Sequence, residues 1–273
     1  MSAEQMSWES AVLSLRDQPD QAELVRACFY DDPLVAAARR FYESGEWRAV
    51  REFLPQRCGA ALDVGAGRGI STFALAQEGW RVVALEPDPS AVVGAEAIRS
   101  LSREASFDCE VVQEWGERLP FEDASFDLVY CRQALHHARD LTALCAEIGR
   151  VLRDGGTFIG TREHVISRRE DLPAFLASHP LHRLYGGENA YLLSDYVGAI
   201  ESAGIGLSKV INPLQSPVNL YPETLEGVKQ RIAQRLGLPV SKLIPDFSIR
   251  LLGGYLKVPG RLYSFVGTRA SRG

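Results

Sequence analysis

Residues 61–76, Ala-Leu-Asp-Val-Gly-Ala-Gly-Arg-Gly-Ile-Ser-Thr-Phe-Ala-Leu-Ala, narrow the fold more than any other stretch of this chain. A short apolar run carrying one carboxylate, Asp63, enters a turn with glycines at 65, 67 and 69, and a helical pattern follows. Glycines at such a turn let backbone N–H groups approach a ligand that a Cβ would hold away. The next helix then starts with its positive dipole end facing the same crevice. This is the layout of a nucleotide-type cofactor site. Its spacing is G-x-G-x-G, with Ile70 standing where a dinucleotide fingerprint has its last glycine.

Apolar runs near 60–64, 81–85, 108–112, 126–131 and 156–161 alternate with helical patterns near 70–78, 89–102 and 140–152. Regular βαβ alternation predicts an α/β fold with a parallel sheet, right-handed crossovers and helices on both faces. Ligands of such sheets bind outside the carboxyl ends of the strands. Ahead of this core, residues 3–52 read as helices separated by Asp-rich breaks, an N-terminal helical cap over residues 1–55. Behind it, Arg162–Ala190 reads as irregular and rich in His, Arg, Gly and Asn. A helix from about Ser194, its expected N-cap, to Ala203 comes next, then a strand at 206–211, a helix near 222–236 and a last strand near 261–267. The core domain is therefore expected over 56–273, with lid insertions at about 164–193 and 213–259.

The composition excludes several classes. A net charge of −5 argues against a nucleic-acid substrate, because phosphate-backbone binding needs a basic stripe. No apolar run approaches the roughly 20 residues of a membrane span. Met1 to Glu9 shows no basic start followed by an apolar stretch, so a cytoplasmic location is the expectation. Five scattered cysteines, at 28, 58, 109, 131 and 145, contain no C-x-x-C and read as reduced thiols.

Further segments extend the pattern of the glycine turn. Arg81-Val-Val-Ala-Leu-Glu86 is a second strand-like run closed by an acid. Leu119-Pro-Phe-Glu-Asp-Ala-Ser-Phe-Asp-Leu-Val-Tyr130 and Arg150-Val-Leu-Arg-Asp-Gly-Gly-Thr-Phe-Ile159 follow in order. Over about residues 58–165 the chain resembles the class I S-adenosylmethionine-dependent methyltransferases, whose first motif is hydrophobic-Asp-x-Gly-x-Gly-x-Gly. The resemblance implies a Rossmann-like, seven-stranded, doubly wound sheet whose last strand is antiparallel and pairs between strands five and six. It implies S-adenosylmethionine as cofactor and S-adenosylhomocysteine as product. Asp63, Gly65, Ala66 and Gly67 would form the donor turn, and Glu86, followed by Pro87, would accept the ribose hydroxyls. Asp63 is also open to a structural role as a cap of that turn, its carboxylate satisfied by turn N–H groups or by ligand, and the two roles are compatible.

The chain departs from the family where an Asp usually contacts the adenine amine, because Trp115 stands there. Stacking by Trp115 with a polar contact from Gly116 or Glu117, or a shifted loop, are the open alternatives. Arg132 and Gln133 are expected at the methionine end, and Tyr30 is either an aromatic lid residue or a core residue.

Methyl transfer to a hydroxyl needs in-line positioning and removal of the hydroxyl proton, a task suited to histidine. His136 and His137 follow the fourth strand, and Glu163 follows the fifth. In similar small-molecule O-methyltransferases a His at this place, supported by such an acid, serves as base; elsewhere it braces the loop. His164, His179, His182, Tyr185, Glu188 and Asn189 are candidate acceptor contacts, or members of a well-bonded surface loop. No clear metal-ligand set stands out, and none is expected. The chain thus reads as a methyltransferase of a small molecule, with O-methylation of a sugar or secondary metabolite first. C- or N-methylation of ubiquinone type and a non-catalytic cofactor-binding module are the rivals. No nucleic-acid or membrane partner is expected, and the sequence leaves the oligomeric state open.

Overall fold

The structure, a computed structural model, describes residues 6–237 and 241–271. Residues 1–5 of the expected cap, 238–240 of the second insertion and 272–273 lie outside the described residues. Strands β1 (Ala60–Val64), β2 (Arg81–Leu85), β3 (Cys109–Val112), β4 (Phe126–Arg132), β5 (Leu152–Ile166), β6 (Tyr191–Leu192), β7 (Ile205–Ile211) and β8 (Arg261–Arg269) form one sheet. Its order is β3-β2-β1-β4-β5-β8-β7, with β6 paired to β5 off this path. β8 runs antiparallel to both β5 and β7, at the expected place. The two-residue β6 makes eight strands rather than seven, and a segment that short leaves no periodic signal in a sequence.

Alternation along each central strand explains the two layers of core. Leu62, Val129, Cys131 and Phe158 face the helices Leu141–Val151 and Leu193–Ser202. Their neighbours Ala61, Leu128, Tyr130 and Ile159 face the helices Ile70–Gln77, Leu34–Tyr42 and Gly45–Arg51. Such two-sided burial is why these strands read as continuous apolar runs. Phe41 and Trp47 from the N-terminal helices are fully buried in this second layer. Truncating Trp47 to Ala would cost on the order of 3–5 kcal/mol. A smaller cluster, Ala11, Val12, Leu15, Val25, Val93 and Leu181, joins the first helices to the loop after β2 and to the segment around residue 181.

The strand order reverses between β1 and β4, so a crevice opens at their carboxyl ends. Departures from the expected elements occur beside it. The helix expected from 89 begins at Ala95, because Asp88 ties the preceding turn: its carboxylate accepts Ser90 N–H at 2.7 Å and its carbonyl accepts Ala95 N–H at 2.7 Å. β5 does not end at 161 but runs on to Ile166 through a bulge against β8, with Arg162 in the left-handed region at φ 62°. The charged triplet Arg162-Glu163-His164 hides this continuation, since buried ion pairs do not look like strand in a sequence. The rest of the stretch expected to be irregular carries helices Leu172–Ser178 and His182–Tyr185. Ser194 is not the N-cap; the next helix starts at Leu193 and Asp195 accepts Leu192 N–H at 3.4 Å. No helix of the described residues is long and apolar enough to cross a membrane.

Candidate active site

A cavity of about 770 Å³ lies over the carboxyl ends of β1, β2, β4 and β5, in the range of pockets that enclose small molecules. One half is built by the glycine turn. Gly65 sits at φ +65°, and a Cβ there would lie 2.7 Å from the Cβ of Ala134, so no larger residue fits the junction of β1 with the loop after β4. Ala66 and Gly67 follow it along the cavity wall. Asp63 is buried behind this wall and does not line the cavity. Its Oδ2 accepts the hydroxyls of Ser71 and Thr72, both at 2.7 Å, rather than turn N–H groups. Burial pushes its pKa up to about 6 against the pull of those two bonds. Through these bonds Asp63 pins the first turn of the helix Ile70–Gln77 to β1.

Glu86, at the end of β2, lines the cavity beside Pro87. One carboxylate oxygen accepts Gly67 N–H at 2.7 Å and the other accepts Asp88 N–H at 2.9 Å. An ionised carboxylate has about four lone-pair sites, so each oxygen keeps one for a further donor. Burial pushes the Glu86 pKa up to about 7, opposed by the two N–H bonds.

The roof of this half comes from the N-terminal helices. Trp8, Leu15, Leu24 and Tyr30 line it. Arg68, inside the glycine turn, clamps that roof: its guanidinium donates to the carbonyls of Phe29 at 2.9 Å and Asp31 at 3.1 Å and to Asp32 at 2.5 Å. Sequence reasoning missed both Arg68 and Trp8. A bulky cation among small residues of a tight turn was the signal available for Arg68. Trp115 also lines the cavity, half exposed, with the Arg139 guanidinium 4.6 Å from its ring centre. Gly116 and Glu117 do not reach the cavity. Gly116 packs so tightly that a Cβ would meet Leu144 at 2.5 Å, and Glu117 accepts Arg139 N–H at 2.8 Å.

Arg132 and Gln133 lie between the two halves. Arg132 makes a two-pronged ion pair with the fully buried Glu46, at 2.7 and 3.1 Å, and donates to the Gln133 amide oxygen at 3.1 Å. Phe29 and Phe41 rings stack on its guanidinium at 5.5 and 5.2 Å. Arg162 approaches the same carboxylate at 3.7 Å. Glu46 is a third missed residue, since one Glu in an amphipathic helix gives no sign of burial.

The other half gathers histidines. The chain has five, and His136, His137, His164 and His179 line the cavity. Glu163 sits behind His136, fully buried, and accepts its Nδ1–H at 2.7 Å together with the backbone N–H groups of Ala134, Leu135 and His136 at 3.0–3.2 Å. The Nε2 of His136 faces Glu188 at 3.4 Å. Burial lowers the His136 pKa, but the flanking carboxylates Glu163 and Glu188 outweigh it and hold the ring at about 9. His137 donates Nδ1–H to the Gly187 carbonyl at 2.9 Å, which leaves Nε2 as its lone-pair nitrogen. Burial and the charge on His136 lower its pKa. His164 likewise donates Nδ1–H to the Gly260 carbonyl at 2.9 Å, and burial takes it down to about 3. Tyr185 donates to Glu188 at 2.9 Å, and His179 lies 3.9 Å from the same carboxylate.

Of the expected acceptor contacts, the cavity therefore brings together His164, His179, Tyr185 and Glu188. His182 and Asn189 fall outside it: the Nδ1 of His182 is buried away from the cavity, and Asn189 bonds the Tyr191 side chain. No described residue of 213–259 lines the cavity, although Tyr221 stacks on Phe29 at 5.5 Å and so backs its roof.

Known proteins share parts of this sequence and fold. Residues 62–160 match a family described as a methyltransferase domain. The chain is 34% identical over 134 residues to a sarcosine/dimethylglycine N-methyltransferase of Halorhodospira halochloris, covering 48% of this chain and 46% of that protein. It is 32% identical over 99 residues to an uncharacterized methyltransferase, YcgJ, of Bacillus subtilis, covering 36% of this chain and 38% of that one. The chain thus spans less than half the length of these curated relatives. Among solved structures, geranyl diphosphate methyltransferase in complex with SAM superposes with a TM-score of 0.61 at 18% identity, covering 89% of this chain and 94% of that one. The domain match over residues 62–160, the sheet order and the glycine turn with its following acid agree with one another, and the fold is that of the solved methyltransferase.

Proposed function

We propose that the protein transfers a methyl group from S-adenosylmethionine to a small molecule, with a hydroxyl oxygen as the acceptor atom. One observation carries the reading: the Glu86 carboxylate and the cluster of four histidines open into the same cavity, on opposite sides of the β1–β4 switch point. When bound, the cofactor supplies an electrophilic methyl group on a sulfonium. Glu86 has two unused lone-pair sites for the ribose hydroxyls, each charge-assisted bond contributing about 1.5–3 kcal/mol. The backbone of Gly65, Ala66 and Gly67 passes the cofactor's body, Trp115 offers a ring for the adenine, and Arg132 with Gln133 bounds the methionine end. Tyr30 and Trp8 close the roof and exclude water, which strengthens every polar contact inside.

His137 is the proton acceptor in this reading. Its Nδ1–H is committed to Gly187, so its Nε2 lone pair is the one offered to an acceptor hydroxyl, whose oxygen then takes the methyl group. His136 and Glu163 are positioning residues, since His136 Nε2 is already engaged with Glu188. Residues 1–55 and about 164–193 act as lids over the two halves, and 213–259 supports the first of them through the Phe29–Tyr221 stack. The test offers S-adenosylmethionine with a panel of hydroxyl- and amine-bearing small molecules, follows release of S-adenosylhomocysteine and locates the new methyl group by NMR. Methylation at oxygen that His137→Ala abolishes supports the reading. Methylation at nitrogen or carbon overturns the oxygen assignment, and cofactor binding without turnover on any acceptor favours a binding module.

A further inference from the structure

We propose that His136 Nε2, His164 Nε2 and the Glu188 carboxylate form a binding site for a divalent first-row transition ion of the zinc type, at the acceptor end of the cavity. One ligand atom from each of these three side chains lies within 4.8 Å of the other two, and all three side chains line the cavity. The His136–Glu188 separation of 3.4 Å already matches the edge of a tetrahedron of bonds 2.0–2.1 Å long, roughly 3.3–3.4 Å.

The arrangement behind the ligands is the stronger argument. A metal-ligating histidine donates its other ring N–H to a carboxylate or a backbone carbonyl, which fixes the tautomer and aims the free lone pair. His136 does so with Glu163 and His164 with Gly260, at 2.7 and 2.9 Å, from a loop after β4 and from β5. The Glu163 carboxylate is itself immobilised by three backbone N–H groups, and Glu188 is held by the Tyr185 hydroxyl. Two imidazoles and a carboxylate, each separately braced, thus face one another, and the ion would displace the proton that His136 Nε2 carries. Two imidazoles with one carboxylate suit zinc, iron or nickel; magnesium and calcium prefer all-oxygen shells. In the free protein a proton on His136 Nε2 fills the same gap. Three protein ligands leave open coordination positions towards the cavity, so the ion would hold an acceptor that offers oxygen ligands; that consequence rests on the transfer reading, while the site itself does not.

The test uses the full chain stripped with a chelator, in a Cys58→Ser background because Cys58 is an exposed thiol. Calorimetric titration with Zn²⁺, without cofactor or acceptor, should give one equivalent bound. His164→Asn and Glu188→Gln should each weaken it at least tenfold, and Glu163→Gln roughly 10- to 100-fold through the loss of the charge behind His136. His182→Asn should leave it unchanged. Retained S-adenosylhomocysteine affinity in each variant reports an intact fold and separates this result from the transfer reading. No saturable Zn²⁺ binding by the parent chain, or affinity unchanged in both His164→Asn and Glu188→Gln, would overturn the proposal.

Discussion

The two halves of the cavity are built in opposite ways. In the proposed reading the floor of the donor half is assembled locally: Gly65 to Ser71 is one turn and the start of one helix, and Glu86 closes the neighbouring strand in register with it, Val64 beside Leu85. The acceptor half is assembled at long range, from the loop after β4, the far end of β5, the helix-and-glycine segment 179–188 and the carbonyl of Gly260. The floor of the first half is glycine-turn backbone beside the Glu86 carboxylate, and the second half is almost entirely titratable side chains. A shared core can therefore keep the first while the second is rebuilt for different acceptors. This fits a chain whose family match stops at residue 160, just short of Glu163.

The sharpest way to break this division is to injure one half and measure the other. His137→Ala should lower turnover by roughly 10²- to 10⁴-fold, the usual worth of a positioned proton acceptor, with S-adenosylhomocysteine affinity within about twofold of wild type. Loss of affinity alongside turnover would mean that the halves are not separable. Glu86→Ala should do the reverse, weakening calorimetric affinity for S-adenosylhomocysteine at least about tenfold.

The titration of Glu86 sharpens the donor half further. Its pKa is raised to about 7, and in the proposed reading the ionised form accepts the two ribose hydroxyls, so cofactor affinity should rise with pH through neutrality. If only that form binds, the gain between pH 6 and pH 8 is roughly tenfold, and Glu86→Gln should flatten it. The sign for stability is opposite. A carboxyl whose folded pKa is raised favours the folded state below its unfolded value and loses that contribution as pH climbs to about 7, so the free protein should melt lower at pH 8 than at pH 5 through this group. The smallest effect belongs to Trp115, half exposed, where Trp115→Ala should weaken cofactor binding by about 1 kcal/mol, roughly fivefold, if the ring stacks on adenine.

Legibility in the sequence follows the same division. The strands that carry the donor half end within a residue or so of their expected positions, because apolar runs buried on both faces and a glycine turn are local signals. The place of Glu86 on the cavity wall follows from its position at a strand end. Asp63 shows the limit, since its satisfaction by Ser71 and Thr72 depends on how the next helix turns back. In the acceptor half the residue types were readable, but not which of them meet. His182 and Asn189 belong to the same polar run as His179 and Glu188, yet the short helix His182–Tyr185 and the turn after it send them elsewhere. The bulge at Arg162 sends its guanidinium to the Val218 and Tyr221 carbonyls and its neighbour Glu163 to His136, a partition that no periodicity announces. Buried charges such as Glu46 and Arg68 are the least legible of all, because their meaning lies in partners 86 and 36–39 positions away.

A co-crystal structure with S-adenosylhomocysteine tests the central claim most directly. The account predicts both ribose hydroxyls on the Glu86 carboxylate, the backbone of Gly65–Gly67 against the ligand, and the sulfur facing the side where His137 offers its lone pair. A ligand seated elsewhere, or one whose sulfur points away from the histidines, would contradict it.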